Sequence, residues 1–151
     1  MKKILLLTFS LVFSFGYTIT KYEINFFGFT KHFNKQYYNN QNVFNPGIGI
    51  NLYLEKNLFI TVNWLKNCEK KRMFLTGFGI NLPILSKIHL NIGSVYIKTK
   101  YYEKEYHQWE PIYYLSYNIN NKWSINTLYV PKTFSVTKKD DFVFFFLSYK
   151  I

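Results

Sequence analysis

Between Gly47 and Leu54 the chain alternates without a break: Gly47, Gly49, Asn51 and Tyr53 fall on one side, and Ile48, Ile50, Leu52 and Leu54 on the other. A strict period of two is a β-strand, because successive side chains of a strand point to opposite faces. The contents of the two faces constrain the fold further. In a soluble sheet the aliphatic face packs inward and the polar face meets water; here the other face carries two glycines and an asparagine. Small and polar residues suit the interior of a narrow barrel, and an aliphatic face suits lipid. Residues 73–82 repeat the scheme, with Phe74, Phe78, Ile80 and Leu82 opposite Leu75, Gly77, Gly79 and Asn81.

Six more segments read as strands, at 22–32, 58–66, 88–98, 111–118, 123–130 and 142–151. Their lengths match the roughly nine to eleven residues that a tilted strand needs to cross a bilayer, and eight is an even count of the kind that transmembrane barrels use. Tight connections at 55–57, 83–87 and 120–122 alternate with mostly longer ones at 34–45, 67–72, 99–109 and 132–141. Short turns on one side of a membrane and long loops on the other are the pattern of an up-and-down barrel. The Tyr-, Lys- and Glu-dense stretch 100–108 reads as a loop. The expected fold is all-β: an eight-stranded antiparallel up-and-down transmembrane β-barrel. A soluble lipocalin-like barrel would have the same strand count with its apolar residues inside, which the glycine-bearing faces argue against.

The chain opens with Met1-Lys2-Lys3, an apolar run over residues 4–15, and small residues at Ser14 and Gly16. This reads as a signal peptide over residues 1–16, followed by one barrel domain over 17–151. The run is too short for a spanning helix, which needs about twenty residues. Cys68 is the single cysteine, so no internal disulfide can staple the domain. The expected location is the outer membrane, and a monomer is expected. A net charge of +11 could suggest nucleic acid. An exported barrel meets lipid phosphates instead, so no nucleic-acid partner is expected. A Lys-rich composition can equally reflect the base content of the genome.

Up-and-down topology puts the end of the first strand, His32, on the same rim as Lys66, Asn67 and Cys68 at the end of the third. That brings together a general base, an amide and a thiol. His89 and His107 lie apart, and no spacing of His, Cys and acidic residues suggests a metal; neither a metal nor a cofactor is expected. Lys66, Lys70, Lys71 and Arg72 would favour a thiolate at Cys68.

The run from Lys66-Asn67-Cys68 to Gly77-Phe78-Gly79 resembles the K-D-S and G-x-G stretch of the lipid A palmitoyltransferase family of outer-membrane acyltransferases, with the same spacing. Asn45-Pro46-Gly47-Ile48-Gly49, Pro111 and Tyr129-Val130-Pro131 are similar to that family's prolines near strand ends. The resemblance implies an acyl chain moved from a phospholipid donor to a lipid A acceptor. It implies His32 as general base, Asn67 as its orienter, and Cys68 as nucleophile or polar partner. Gly77 and Gly79 would bound an internal acyl pocket, and Pro46, Pro111 and Pro131 would open lateral gates between strands. Lys66, Lys70, Lys71 and Arg72 would meet lipid phosphates. Two departures stand out: Asn67 and Cys68 replace the family's Asp and Ser, and there is no room for its amphipathic N-terminal helix. The rival reading is a non-catalytic small outer-membrane barrel that binds a partner through its loops.

Overall fold

A computed structural model of the chain describes residues 18–33, 44–101, 103–131, 133 and 141–151. The signal peptide read at 1–16, most of the first loop and most of the last loop lie outside the described residues. The eight strands are β1 (Ile19–His32), β2 (Phe44–Leu54), β3 (Leu58–Lys66), β4 (Arg72–Leu85), β5 (Ile88–Tyr101), β6 (Lys104–Asn118), β7 (Trp123–Val130) and β8 (Phe142–Lys150). Each pairs antiparallel with its sequence neighbours, and β8 pairs back onto β1, closing the barrel. Closure gives every strand a paired neighbour on both sides.

The two alternating segments behave as their patterns require. Ile48, Ile50, Phe78, Ile80 and Leu82 are exposed on the outer surface, together with Ile92, Leu115, Ile125 and Leu147. A continuous aliphatic outer wall is the surface of a barrel that faces lipid. Trp64 and Trp109 stand on the outside toward one end, and Tyr22, Tyr117 and Trp123 toward the other, matching the aromatic girdles at the two membrane surfaces. Among the described residues no helix is long and apolar enough to cross a membrane.

Of the stretch expected as a loop at 99–109, residues 99–101 and 104–109 are instead strand. β5 and β6 form a fourteen-pair ladder from Ile88↔Tyr117 to Tyr101↔Lys104. The physical cause lies in the cross-strand pairs, which contribute the stabilisation that sequence alternation alone does not advertise: Lys100 sits opposite Glu105, and Tyr101 meets Tyr106 edge-on with ring centroids 6.1 Å apart. β4 likewise continues past Pro83 to Leu85, with a register shift between the two. The hairpin β5–β6 therefore stands taller than its neighbours.

The interior is divided along the barrel axis. In the half nearer the tight turns, Asn, Ser and Thr side chains form one connected belt. Asn81 donates to Asn91 (2.8 Å), Asn91 to Ser116 (2.9 Å) and Ser116 to Asn126 (2.6 Å). Asn126 donates to Ser148 (2.8 Å), Ser148 to Asn25 (2.7 Å), and Asn25 to Asn51 (2.9 Å) and Asn63 (3.1 Å). Thr61 closes the sequence by donating to Asn51 (2.7 Å). All eight strands contribute. In the half nearer the loops the lining is apolar: Phe27, Leu65, Met73, Leu75, Ile112, Leu128, Phe142, Phe144 and Phe146.

Candidate functional site

His32 reaches the interior because β1 is irregular. Asn25 and Phe27 face inward, so unbroken alternation would turn Phe29 and Lys31 inward and His32 out. The pairing of β1 with both β2 and β8 shifts register between Phe27 and Phe29. The extra residue, Gly28, reverses the parity: Phe29 is 59% exposed while Thr30 is 3% exposed. Bulges commonly re-aim a side chain in this way. His32 then follows Thr30 on the inner face and packs against Phe142, with ring centroids 5.5 Å apart.

Cys68 opens the turn between β3 and β4. Asn67 builds that turn with its whole carboxamide. Its Oδ1 accepts from the backbone N–H of Glu69 (2.9 Å) and Lys71 (3.0 Å), and its Nδ2 donates to Thr99 Oγ1 (3.1 Å) and the Lys100 carbonyl (2.8 Å). A carboxamide has two donors and two acceptor lone pairs, and here all four are used. Asn67 thus holds the turn and has no capacity left to orient His32, contrary to the expectation from the resemblance.

The thiol is folded over the barrel mouth. Cys68 Sγ lies 2.9 Å from His32 Nε2 and 3.4 Å from Asn45 Nδ2. Asn45 also donates to Thr30 Oγ1 (2.9 Å). The amide beside the thiol is therefore Asn45 rather than Asn67. Its position was legible: carrying the Gly47–Gly49 alternation two residues back puts Asn45 on the inner face. Cys68 is buried, and burial pushes its thiol pKa up despite the hydrogen bond from Asn45. The thiolate expected from the nearby cations is not favoured in this environment. A nucleophile at this position would need its proton removed by a neighbouring base.

Below this group lies a cavity of about 120 Å³. His32, Cys68, Asn45 and Asn67 lie at its mouth, the apolar residues of the loop half form its walls, and Asn25, Asn51, Thr61, Asn63 and Tyr114 form its floor. Glu110, which the sequence reading passed over, also lines it and accepts from Gln108 (2.7 Å). Gly77 and Gly79 do not line the cavity. They sit in the wall of β4, where strands and rings approach closely: a Cβ on Gly79 would come within 2.7 Å of the Phe59 ring, and one on Gly77 within 2.7 Å of Val95. Phe59, 1% exposed, occupies the space that a glycine at 79 leaves.

The three prolines stand where ladders stop. The β2–β3 pairing ends at Gly47↔Leu65, one residue from Pro46. The β6–β7 pairing ends at Tyr114↔Leu128, leaving Pro111 on β6 and Pro131 after β7 beyond it. The β6–β7 ladder has five pairs, against fourteen between β5 and β6. The wall is thus laterally incomplete near the mouth.

Lys66, Lys70, Lys71 and Arg72 do not line the cavity. Lys71 pairs with Glu103 (2.7 Å), which holds the lysine above and the glutamate below their ordinary pKa values. Lys70 takes a left-handed backbone conformation (φ 60°) in the turn. Arg72 and Lys66 point outward, the guanidinium lying 5.9 Å from the centre of the Trp64 ring.

No family model matches the chain, and no curated protein matches it. Solved structures do. A de novo designed transmembrane β-barrel superposes with a TM-score of 0.60 at 12% identity, over 89% of this chain and 98% of its own. A second design, TMB2.3, gives 0.58 at 12% identity, over 87% of this chain and 95% of its own. The N-terminal β-barrel domain of Pseudomonas aeruginosa OprF gives 0.53 at 9% identity, over 87% of this chain and 97% of its own. At such identities the likeness concerns fold alone: this chain is a closed eight-stranded barrel of the transmembrane kind.

Proposed function

We propose that the protein is an outer-membrane acyltransferase that takes an acyl chain from a phospholipid and passes it to lipid A or a related lipid acceptor. The observation that carries this reading is the His32–Cys68 contact of 2.9 Å at the mouth of an apolar cavity inside the barrel. A donor lipid would place its ester beside Cys68 and its chain among Phe27, Leu65, Phe144 and Phe146. His32 Nε2 takes the thiol proton, and the thiolate attacks the ester carbonyl. The tetrahedral adduct collapses, its C–O bond breaks, and the lysophospholipid oxygen leaves with the proton from His32. A hydroxyl of the acceptor, deprotonated by His32, then attacks the thioester carbonyl; the acyl C–S bond breaks, and the Cys68 thiolate takes the proton back from His32. Asn45 donates to Cys68 Sγ beside His32, and the unpaired stretch between β6 and β7, with Pro111 and Pro131, offers donor entry from the bilayer.

The rival reading is a non-catalytic small barrel, favoured by the commitment of Asn67 to the turn and by the buried, protonated state of Cys68. Expression in a Gram-negative strain lacking lipid A palmitoylation separates the two. A gain of one acyl chain in the lipid A mass spectrum, lost on His32→Ala, is the expected result. Unmodified lipid A from correctly inserted, heat-modifiable barrel would favour the non-catalytic reading.

A further inference from the structure

The ladder registers stack the outer wall of β3–β6 into rows. Trp64 lies opposite Phe74, Phe74 opposite Lys98, and Lys98 opposite His107. One step toward the loops, Lys66 is opposite Arg72 and Lys100 opposite Glu105; one step below, Tyr96 is opposite Trp109. A basic shelf thus runs directly above an aromatic wall. The two meet in a groove lined by Trp64, Arg72, Phe74 and Lys98, with Lys71, Lys100 and the carboxylate of Glu105 at its edge, so that cations outnumber the acidic groups lining it. Glu103 engages Lys71 and Lys100. Among the described residues, the ion pairs do not include Lys66, Arg72 or Lys98. The opposite wall differs: at the same height it carries Phe29, Phe44, Tyr129 and Phe145, with Lys31 the single lysine or arginine among the described residues.

We propose that this groove binds the phosphate-bearing head group of a membrane amphiphile in the leaflet facing the loops, with its chains lying against Trp64, Phe74 and Phe78. Arg72 stacks toward Trp64, which leaves the planar fork of its guanidinium to grip a phosphate. Lys66 and Lys98 flank it as point charges. The occupant is a lipid and not a free anion, because Trp64 and Phe74 give the groove an aromatic surface that inorganic phosphate would not use. The proposal sharpens the lipid specificity suggested above, yet stands on the outer wall and does not depend on acyl transfer.

The test is native mass spectrometry of the intact barrel released from detergent and titrated with phosphatidic acid. One tight site that depends on the groove cations is expected, separate from any donor lipid held in the interior cavity. Replacing Lys66, Arg72 and Lys98 together by Gln should weaken it about a hundredfold, from roughly 1 kcal/mol per cation near a charged membrane surface. Should the triple variant fail to fold, Lys98→Gln alone should weaken binding about fivefold on the same basis. The double change Lys31→Gln and Lys122→Gln, His32→Ala, and millimolar inorganic phosphate should each leave binding unchanged. Binding that survives the triple change, falls equally with Lys31 and Lys122, falls with His32→Ala, or is displaced by free phosphate would overturn the assignment.

Discussion

The two halves of the barrel interior solve one problem in opposite ways. In the turn half, short polar side chains hydrogen-bonded strand to strand close around the buried rings of Tyr53, Phe59 and Tyr114; in the loop half the interior is lined by aromatic and aliphatic groups that leave a hollow. A buried polar network specifies geometry tightly because every unmet bond is costly. An apolar lining demands only volume, and therefore tolerates a void into which a chain can enter. The difference teaches where each task resides: the belt fixes the register of the barrel, and the hollow is the part free to accept a ligand.

The largest expected effect breaks the loop half chemically. His32→Ala or Cys68→Ala should lower lipid A acylation by a factor of about 10³, the usual worth of a general base, with heat-modifiability on gels unchanged. Retained acylation in either variant removes the acyl-transfer mechanism. Deleting Gly28 should have a comparable effect by a different route. It restores regular alternation in β1 and turns His32 toward lipid, so activity falls while urea unfolding changes less than for any substitution in the belt.

Next comes stability. Asn25 has its donor and acceptor engaged with Asn51, Asn63 and Ser148. Asn25→Leu should lower unfolding stability by about 3 kcal/mol, because it strands several buried partners at once. Leu128→Ala, which only widens an existing hollow, should cost about 2 kcal/mol or less, at the low end for such truncations. Equal costs in urea titrations would remove the contrast between the halves.

A smaller effect concerns pH. Because burial raises the Cys68 thiol, alkylation by iodoacetamide should be slow at neutral pH and rise only above the ordinary thiol range. The thiol that keeps its proton longer in the fold stabilises the barrel below the ordinary thiol pKa, and this contribution fades as pH climbs through the raised value. A midpoint below the ordinary value would show a resting thiolate instead. The smallest effect is expected at the rim: Glu103→Gln breaks the exposed pairs with Lys71 and Lys100 and should leave the urea midpoint unchanged within error.

The strand count, the closed topology and the lipid-facing wall were legible because each rests on period two, which a strand writes directly into its sequence. The juxtaposition of His32 and Cys68 followed from topology, but the inward aim of His32 did not. It depends on the one-residue bulge at Gly28, and a lone glycine between phenylalanines carries no unambiguous signal. Position on the rim points Asn67 to His32, whereas its amide is consumed by its own turn and by Thr99, a local competition that sequence spacing does not express. Gly79 was read as bounding a pocket, yet the volume above it is filled by Phe59 from the next strand, a long-range packing choice. The height of β5 and β6 was missed because Lys, Tyr and Glu in 100–108 find their partners only across the hairpin.

The hydrogen bond from Ser148 to Asn25 spans the seam where the last strand meets the first. It is the link that joins the two ends of the polar belt across that seam, and it can form only when β8 and β1 meet in the correct register. A one-residue slip would turn the belt residues of one strand toward lipid. Misregistered closure would leave amides facing the apolar outer side, so the seam hydrogen bond ties the closed register to burial of the belt.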